Sequence, residues 1–204
     1  MQIRSHRAGF AGLVAAFAGL ALVPASAASA NVVWDEDVDG DLSDDQFAPT
    51  IIDLGLGSNL VAGRTSAGNP NPDREFFTIE VAAGLELSEV VLIEYDTTSQ
   101  NSFIAVEAGP QITSLASVEF VLGATLIGTE VGSQEGDNFL DDLGLFPAFG
   151  GIGFDGTLGP GQYTFWFQET LDPVDFTFDF VLVPAPASAG LLAGAVLFAG
   201  RRRR

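Results

Sequence analysis

Asp175-Phe176-Thr177-Phe178-Asp179-Phe180 decides the fold. Three phenylalanines alternate with acidic or hydroxylic residues at a period of two, the pattern of a half-buried strand with one apolar and one wetted face. The same period runs through Phe76 to Val81, where Phe77, Ile79 and Val81 alternate with Phe76, Thr78 and Glu80. It recurs in Val90–Tyr95, Ser102–Glu107, Val118–Leu122 and Gln162–Glu169, with Thr50–Leu54 and Asn59–Ala62 as shorter candidates. Turn residues separate these runs: Gly55, Gly57, Gly68 to Pro72, Ala83-Gly84, Gly109-Pro110 and Gly159-Pro160-Gly161. Gly144 to Gly156 reads as a long loop ending in a short strand. No segment has a convincing helical period and no repeat of fixed length appears. The predicted fold is therefore all-β, an antiparallel, jelly-roll-like β-sandwich over residues 31–182.

Outside that domain the composition changes. Of 204 residues, 27 are acidic, all between Asp35 and Asp179; the eight basic residues are Arg64, Arg74 and six arginines at the two ends. Arg64 and Arg74 against 27 acids leave the middle with a net charge of −25. Nucleic acid is excluded as a partner by that sign. The middle also lacks Cys, Lys and His, the sole histidine being His6. This removes disulfides, thiol or lysine nucleophiles, the usual zinc ligands and histidine acid–base catalysis. There is no nucleophile elbow, phosphate loop or dinucleotide fingerprint either.

Residues 1–30 read as a secretory signal helix. Arg4 and Arg7 precede an apolar stretch from Ala8 to Val23, and Ala25-Ser26-Ala27 and Ala28-Ser29-Ala30 each fit an A-x-A cleavage site. Export through the Sec machinery is the expectation. At the other end, Val183-Pro184-Ala185-Pro186-Ala187-Ser188 leads into an apolar run to Gly200 and then Arg201 to Arg204. As a helix, Ala187 to Gly200 would span about 21 Å, short of a ~30 Å hydrocarbon core, with the arginines held on the cytoplasmic side. That is a short, transient transmembrane tether over residues 183–204.

The order of proline motif, short apolar segment and arginine cluster resembles the PEP-CTERM protein-sorting signal, whose usual motif is Val-Pro-Glu-Pro-Ala-Ser. Ala185 stands where that family has Glu. The resemblance implies recognition by an exosortase-type membrane enzyme, cleavage near the motif and delivery to the surface or extracellular polymer of a Gram-negative bacterium. A second resemblance lies within the domain. Asp73-Arg74-Glu75-Phe76-Phe77-Thr78-Ile79-Glu80-Val81 and Leu158-Gly159-Pro160-Gly161-Gln162-Tyr163-Thr164-Phe165 look like the Asp-x-Asp-x-aromatic and Gly-x-Tyr strands of bacterial pre-peptidase C-terminal domains. Glu75 replaces the second Asp. This likeness implies a small non-catalytic sandwich of the kind appended to secreted enzymes.

The densest chemical signal is Asp35-Glu36-Asp37-Val38-Asp39-Gly40-Asp41-Leu42-Ser43-Asp44-Asp45. Asp35, Asp37 and Asp39 followed by Gly40 match the opening of an EF-hand-type Ca²⁺ loop, with Asp41 and Ser43 at the next positions. Gln46 occupies the position of the bidentate Glu, so Asp44 or Asp45 would have to serve. Two readings stand: a Ca²⁺ site built from Asp35, Asp37, Asp39, Asp41 and Asp45, or a solvated acidic leader. Trp166 alternates out of phase with Tyr163, Phe165 and Phe167, so it is a candidate exposed platform for stacking on a sugar ring. Paired carboxylates such as Asp141-Asp142 or Asp172/Asp175 are the material of a glycosidase, but 27 acids produce such pairs by chance. The expectation is a non-enzymatic structural or adhesive protein of the envelope or matrix, its acidic surface bridged by divalent ions to extracellular polysaccharide. The alternative is a Ca²⁺-dependent carbohydrate-binding module.

Overall fold

A computed structural model describes residues 30–68, 72–96, 102–117, 119–127, 134–145, 151–169 and 173–186. The signal-like residues 1–29, Ala187, Ser188 and the apolar C-terminal run lie outside them. Strands β1 (Asn31–Asp35), β2 (Thr50–Ile52), β3 (Gly57–Thr65), β4 (Arg74–Val81), β5 (Leu85–Asp96), β6 (Ser102–Ala108), β7 (Gly123–Ile127), β8 (Gly161–Gln168) and β9 (Val174–Pro184) are joined by two short helices, α1 (Glu36–Asp39) and α2 (Phe139–Leu145). They form a four-stranded sheet, β1-β3-β9-β5, and a five-stranded sheet, β2-β4-β8-β6-β7.

The period of two in β9 becomes the wall of the core. Phe176, Phe178, Phe180 and Leu182 are buried, whereas Asp175 is exposed and Thr177 and Asp179 are half-buried. Opposite stand Phe77, Phe165 and Phe167 of the second sheet. Their rings meet across the gap edge-on: Phe167 to Phe176 at 4.7 Å, Phe165 to Phe180 at 5.1 Å, Phe167 to Phe178 at 5.2 Å and Phe77 to Phe180 at 5.7 Å between centroids. Two sheets packed face to face are thus held by aromatic pairs, each worth roughly 0.5–1.5 kcal/mol beyond its burial.

The five-stranded sheet is covered on its second face as well. Phe76, Ala105, Ala124 and Trp166 pack there with Ile112 and Val121 of the connection between β6 and β7. This is why β4 reads Phe76-Phe77: both phases of the strand are buried. It also corrects the expectation for Trp166. Its ring is 7% exposed, 4.6 Å from Phe103 and 5.9 Å from Phe76, and offers no open face for a sugar.

Three further expectations change. The sheets are mixed rather than purely antiparallel, because β1 lies parallel to β3 and β2 parallel to β4. Both are short N-terminal strands added to sheet edges, and alternation carries no information about strand direction. The strand expected at Val118–Leu122 falls at Gly123–Ile127, where it pairs with β6, while Val121 is buried in the outer cluster without joining a ladder. Finally, a short helix, α2, leads into the stretch read as loop and takes its first two residues, Gly144 and Leu145. Its Phe139, Leu140 and Leu143 are buried and its Asp141 and Asp142 exposed, but seven residues are too few to display a helical period. Gly123 permits its approach: a Cβ there would come within 1.8 Å of the Leu143 carbonyl oxygen.

At its C-terminal end β9 runs past Leu182 into the proline motif. Val183 pairs with Glu86, Pro184 with Leu85, and the Ala185 N–H donates to Gly84 O at 2.9 Å. No helix among the described residues is long and apolar enough to cross a membrane.

Candidate metal centre

Glu75 is on the wrong face for an ion. Two residues ahead of Phe77 and in phase with it, the side chain points between the sheets and is 0% exposed. Neither of its carboxylate oxygens has a hydrogen-bond partner. An ionised carboxylate in such a place costs several kcal/mol unless a countercharge arrives. Burial accordingly pushes its pKa up to about 10, helped by the negative charges of Glu36, Asp73, Asp41 and Asp44. The group facing it most closely, Glu36, is itself an acceptor. A proton shared between the two carboxyls, or a cation, relieves the repulsion between them.

Glu36 is delivered from the other sheet. As β1 ends, a single turn, α1, begins: Asp35 caps it by accepting the Asp37 N–H at 3.1 Å, and Asp39 Oδ2 accepts the Asp35 N–H at 3.0 Å. Gly40, at φ 96°, ends the turn. Glu36 then reaches inward, accepting the Leu42 N–H at 2.9 Å and the Arg64 N–H at 2.7 Å. Burial raises its pKa; those two donors oppose the rise. Its carboxylate rests against Gly63 of β3, where a Cβ would lie 2.7 Å from Glu36 Cδ and 2.9 Å from the Phe176 ring.

The chain from Asp41 to Asp45 straps this end of the sandwich. Leu42 is its buried anchor, Ser43 O accepts the Phe76 N–H at 2.9 Å, and Asp44 Oδ1 accepts the Arg74 N–H at 2.7 Å. Asp73 stands just before β4, its N–H donating to Ser66 O at 3.0 Å and its carbonyl accepting from Thr65 Oγ1. Burial raises the Asp73 pKa, as do Asp41 and Asp44, against the opposing pull of Arg64. Two sets of three carboxylates result, Glu36/Asp41/Glu75 and Asp41/Asp44/Asp73, each with ligand oxygens within 4.8 Å of one another.

No family model, curated protein or solved structure matches this chain. The centre is therefore read from its own donors. They are all carboxylates, with neither nitrogen nor sulfur, the donor set of a hard cation such as Ca²⁺ or Mg²⁺. Oxygens around a Ca²⁺ at 2.3–2.6 Å are no more than about 5 Å apart, which both sets meet.

Of the ligands expected from the sequence, Asp41 belongs to these sets. Asp35 and Asp39 turn onto the backbone of α1, Asp37 is exposed, and Asp45 accepts the Phe47 N–H at 2.9 Å. An EF-hand loop coils its alternate residues around one point, whereas here strand pairing and a helical turn send them apart. Asp44, named as a substitute for the missing Glu, belongs to the second set, whereas Glu36, Asp73 and Glu75 were not read as ligands. Glu75 carried a legible signal, an acid in the apolar phase of an alternating strand. Asp141 and Asp142 lie on the exposed side of α2, where burial and the charges of Asp137 and Asp141 raise the Asp142 pKa; Asp172 lies outside the described residues. Beside the centre, on the four-stranded sheet, an open groove of about 370 Å³ is lined by Asp35, Asp37, Arg64, Glu94, Asp175 and Thr177, with Glu36 at its inner wall. Arg64 and Asp175 pair there at 3.5 Å, both well exposed, an ion pair of little energetic weight.

Proposed function

We propose that this chain is an exported, non-enzymatic, structural or adhesive β-sandwich whose acidic end is clamped by Ca²⁺. One observation carries the cation: Glu75, fully buried and without a donor, stands among four more carboxylates from three segments of the chain. A cation bound there cross-links α1 and the 41–45 strap to β4, joining the N-terminal segment of one sheet to the core of the other. Such a clamp suits export, since extracellular Ca²⁺ modules work at the 10⁻⁴–10⁻³ M level. The signal-like residues 1–30 and the PEP-CTERM-like order of residues 183–204 support delivery to the cell surface or extracellular polymer by an exosortase-type enzyme. We read the strand order as jelly-roll-like, and the acidic surface as one that divalent ions bridge to anionic polysaccharide. The carbohydrate-binding alternative has lost its aromatic platform, because Trp166 is covered.

Thermal unfolding of the full-length chain in chelator, in millimolar CaCl₂ and in NaCl of matched ionic strength tests the clamp. We expect a midpoint in Ca²⁺ well above the matched salt. Glu75→Gln is expected to unfold in chelator at or above the temperature of the unaltered chain near pH 8, and to gain little from Ca²⁺. Equal midpoints in Ca²⁺ and matched NaCl would overturn the reading.

A further inference from the structure

We propose that residues 31–45 form a latch closed by a divalent cation: with the ion bound the segment lies across both sheets, and without it the segment comes away as a unit while the rest of the sandwich stays folded. This rests on the cation-dependent reading above and adds to it a local, reversible opening. The placement of one ligand set carries it. Glu36 and Asp41 sit on the segment, whereas Glu75, fully buried and with neither oxygen partnered, sits on β4 in the body of the fold. The set is divided across a joint. Neither arginine of the domain bridges it, since Arg64 pairs with Asp175 and Arg74 donates to Gln168. An ion held by all three carboxylates draws the segment down; with no countercharge the same groups push it off.

The segment is lightly held otherwise. β1 is an edge strand, paired with β3 alone over four residue pairs and interrupted by a bulge between Val32 and Trp34. Leu42 is the one fully buried side chain from residue 31 to 45, with Val33 and Trp34 half-buried against the core. Every phenylalanine of that core comes from later in the chain, and β3-β9-β5 and β2-β4-β8-β6-β7 remain two facing layers without the segment. Closure also leaves two polar groups without partners, the Glu75 carboxyl and the Trp34 indole N–H, and opening returns both to water. In the closed, cation-free chain burial keeps a proton on Glu75, aided by Glu36 of α1, Asp41 and Asp44 of the strap and Asp73 ahead of β4. Exposure lets Glu75 ionise, so a rise in pH favours the open form. What opening uncovers is the β3 backbone from Asn59 to Ala62, a bare sheet edge.

Hydrogen–deuterium exchange of the full-length chain at pH 8 in chelator, in millimolar CaCl₂ and in NaCl of matched ionic strength separates local from global opening. Peptides from residues 31–45 are expected to exchange at least about tenfold faster in chelator than in Ca²⁺, with those of β8 and β9 unchanged. Trp34 gives a second readout. In a Trp166→Phe variant it is the only indole, and acrylamide should quench it more strongly in chelator than in Ca²⁺. Glu75→Gln, neutral and of the same shape, should keep the segment closed in chelator and abolish the response to Ca²⁺. Asp41→Asn, at an exposed position, should raise the Ca²⁺ concentration of half-closure severalfold, and it keeps the test available if Glu75→Gln does not fold. Exchange slowed by Ca²⁺ equally in residues 31–45 and in β8 and β9, a segment equally protected in chelator and Ca²⁺ while the unfolding midpoint rises, or half-closure unmoved in Asp41→Asn would overturn the latch and leave the clamp standing. No effect of Ca²⁺ beyond matched NaCl on exchange or midpoint would overturn both.

Discussion

At the scale of single residues the structure turns on Glu75 and Gly63. Glu75 has an ordinary unfolded pKa near 4.5 and a folded one near 10, so between those values the cation-free folded chain holds a proton that the unfolded chain has released. Its contribution to stability is present at low pH and lost as pH rises through that window. For one group the slope is at most about 1.4 kcal/mol per pH unit. Without Ca²⁺ the unfolding midpoint should therefore fall between pH 5 and pH 8. In saturating Ca²⁺ the cation takes the place of the proton and the fall should be much smaller; a pH scan of thermal unfolding in both conditions checks this. Gly63 acts by what it lacks. Gly63→Ala should push Glu36 off its seat, cost on the order of 1–3 kcal/mol and weaken Ca²⁺ binding, measured by denaturant unfolding and calorimetry. Both residues show where reading the chain alone stops. The strand around Glu75 was legible, but an acid in its apolar phase takes on meaning only once Glu36, 39 positions earlier, is seen to face it.

Among the elements, β9 was the most legible, whereas β8 has Thr164 to Phe167 buried in succession because both its faces are covered. The aromatic residues of β9 recur at a strict period of two, and burial follows that period residue by residue. A paired substitution measures it. Phe178→Ala, at a fully buried ring 5.2 Å from Phe167, should cost about 3–5 kcal/mol. Thr177→Ala, one step along on the wetted face, should stay within about 0.5 kcal/mol, both by urea unfolding with an unchanged m-value. Less legible were the elements whose burial does not come from one sheet face. β4 has both phases covered, so its pattern says strand without saying which side is core. β7 lies a few residues beyond its apparent position because Val121 is apolar for the sake of the outer cluster. The last residue of β1 and all of α1 come from a run read as a coordinating loop, where capping and a turn of helix engage Asp35 and Asp39 instead.

For the whole molecule, a sandwich of two sheets was legible, and the mixed character of those sheets was not, since it depends on where two short N-terminal strands are laid. Cohesion and charge are segregated within it. Phenylalanines hold the interior, and most acids are left to the surface; Glu107 and Glu169 are buried but accept from Thr113 and Ser102, and five others meet at one end as a centre. That centre lies beside the first residues of β9, at Asp175 and Phe176, and the chain leaves the sheet at the other end of the same strand, at Pro184. Nine steps of strand separate Asp175 from Pro184, about 30 Å at the usual rise, with β3 and β5 bonded on either side. A load applied between the acidic end and the C-terminus therefore runs lengthwise down β9. Its ladders to both neighbours must be sheared at once and cannot be unzipped bond by bond, the loading geometry in which a β-sheet resists pulling best.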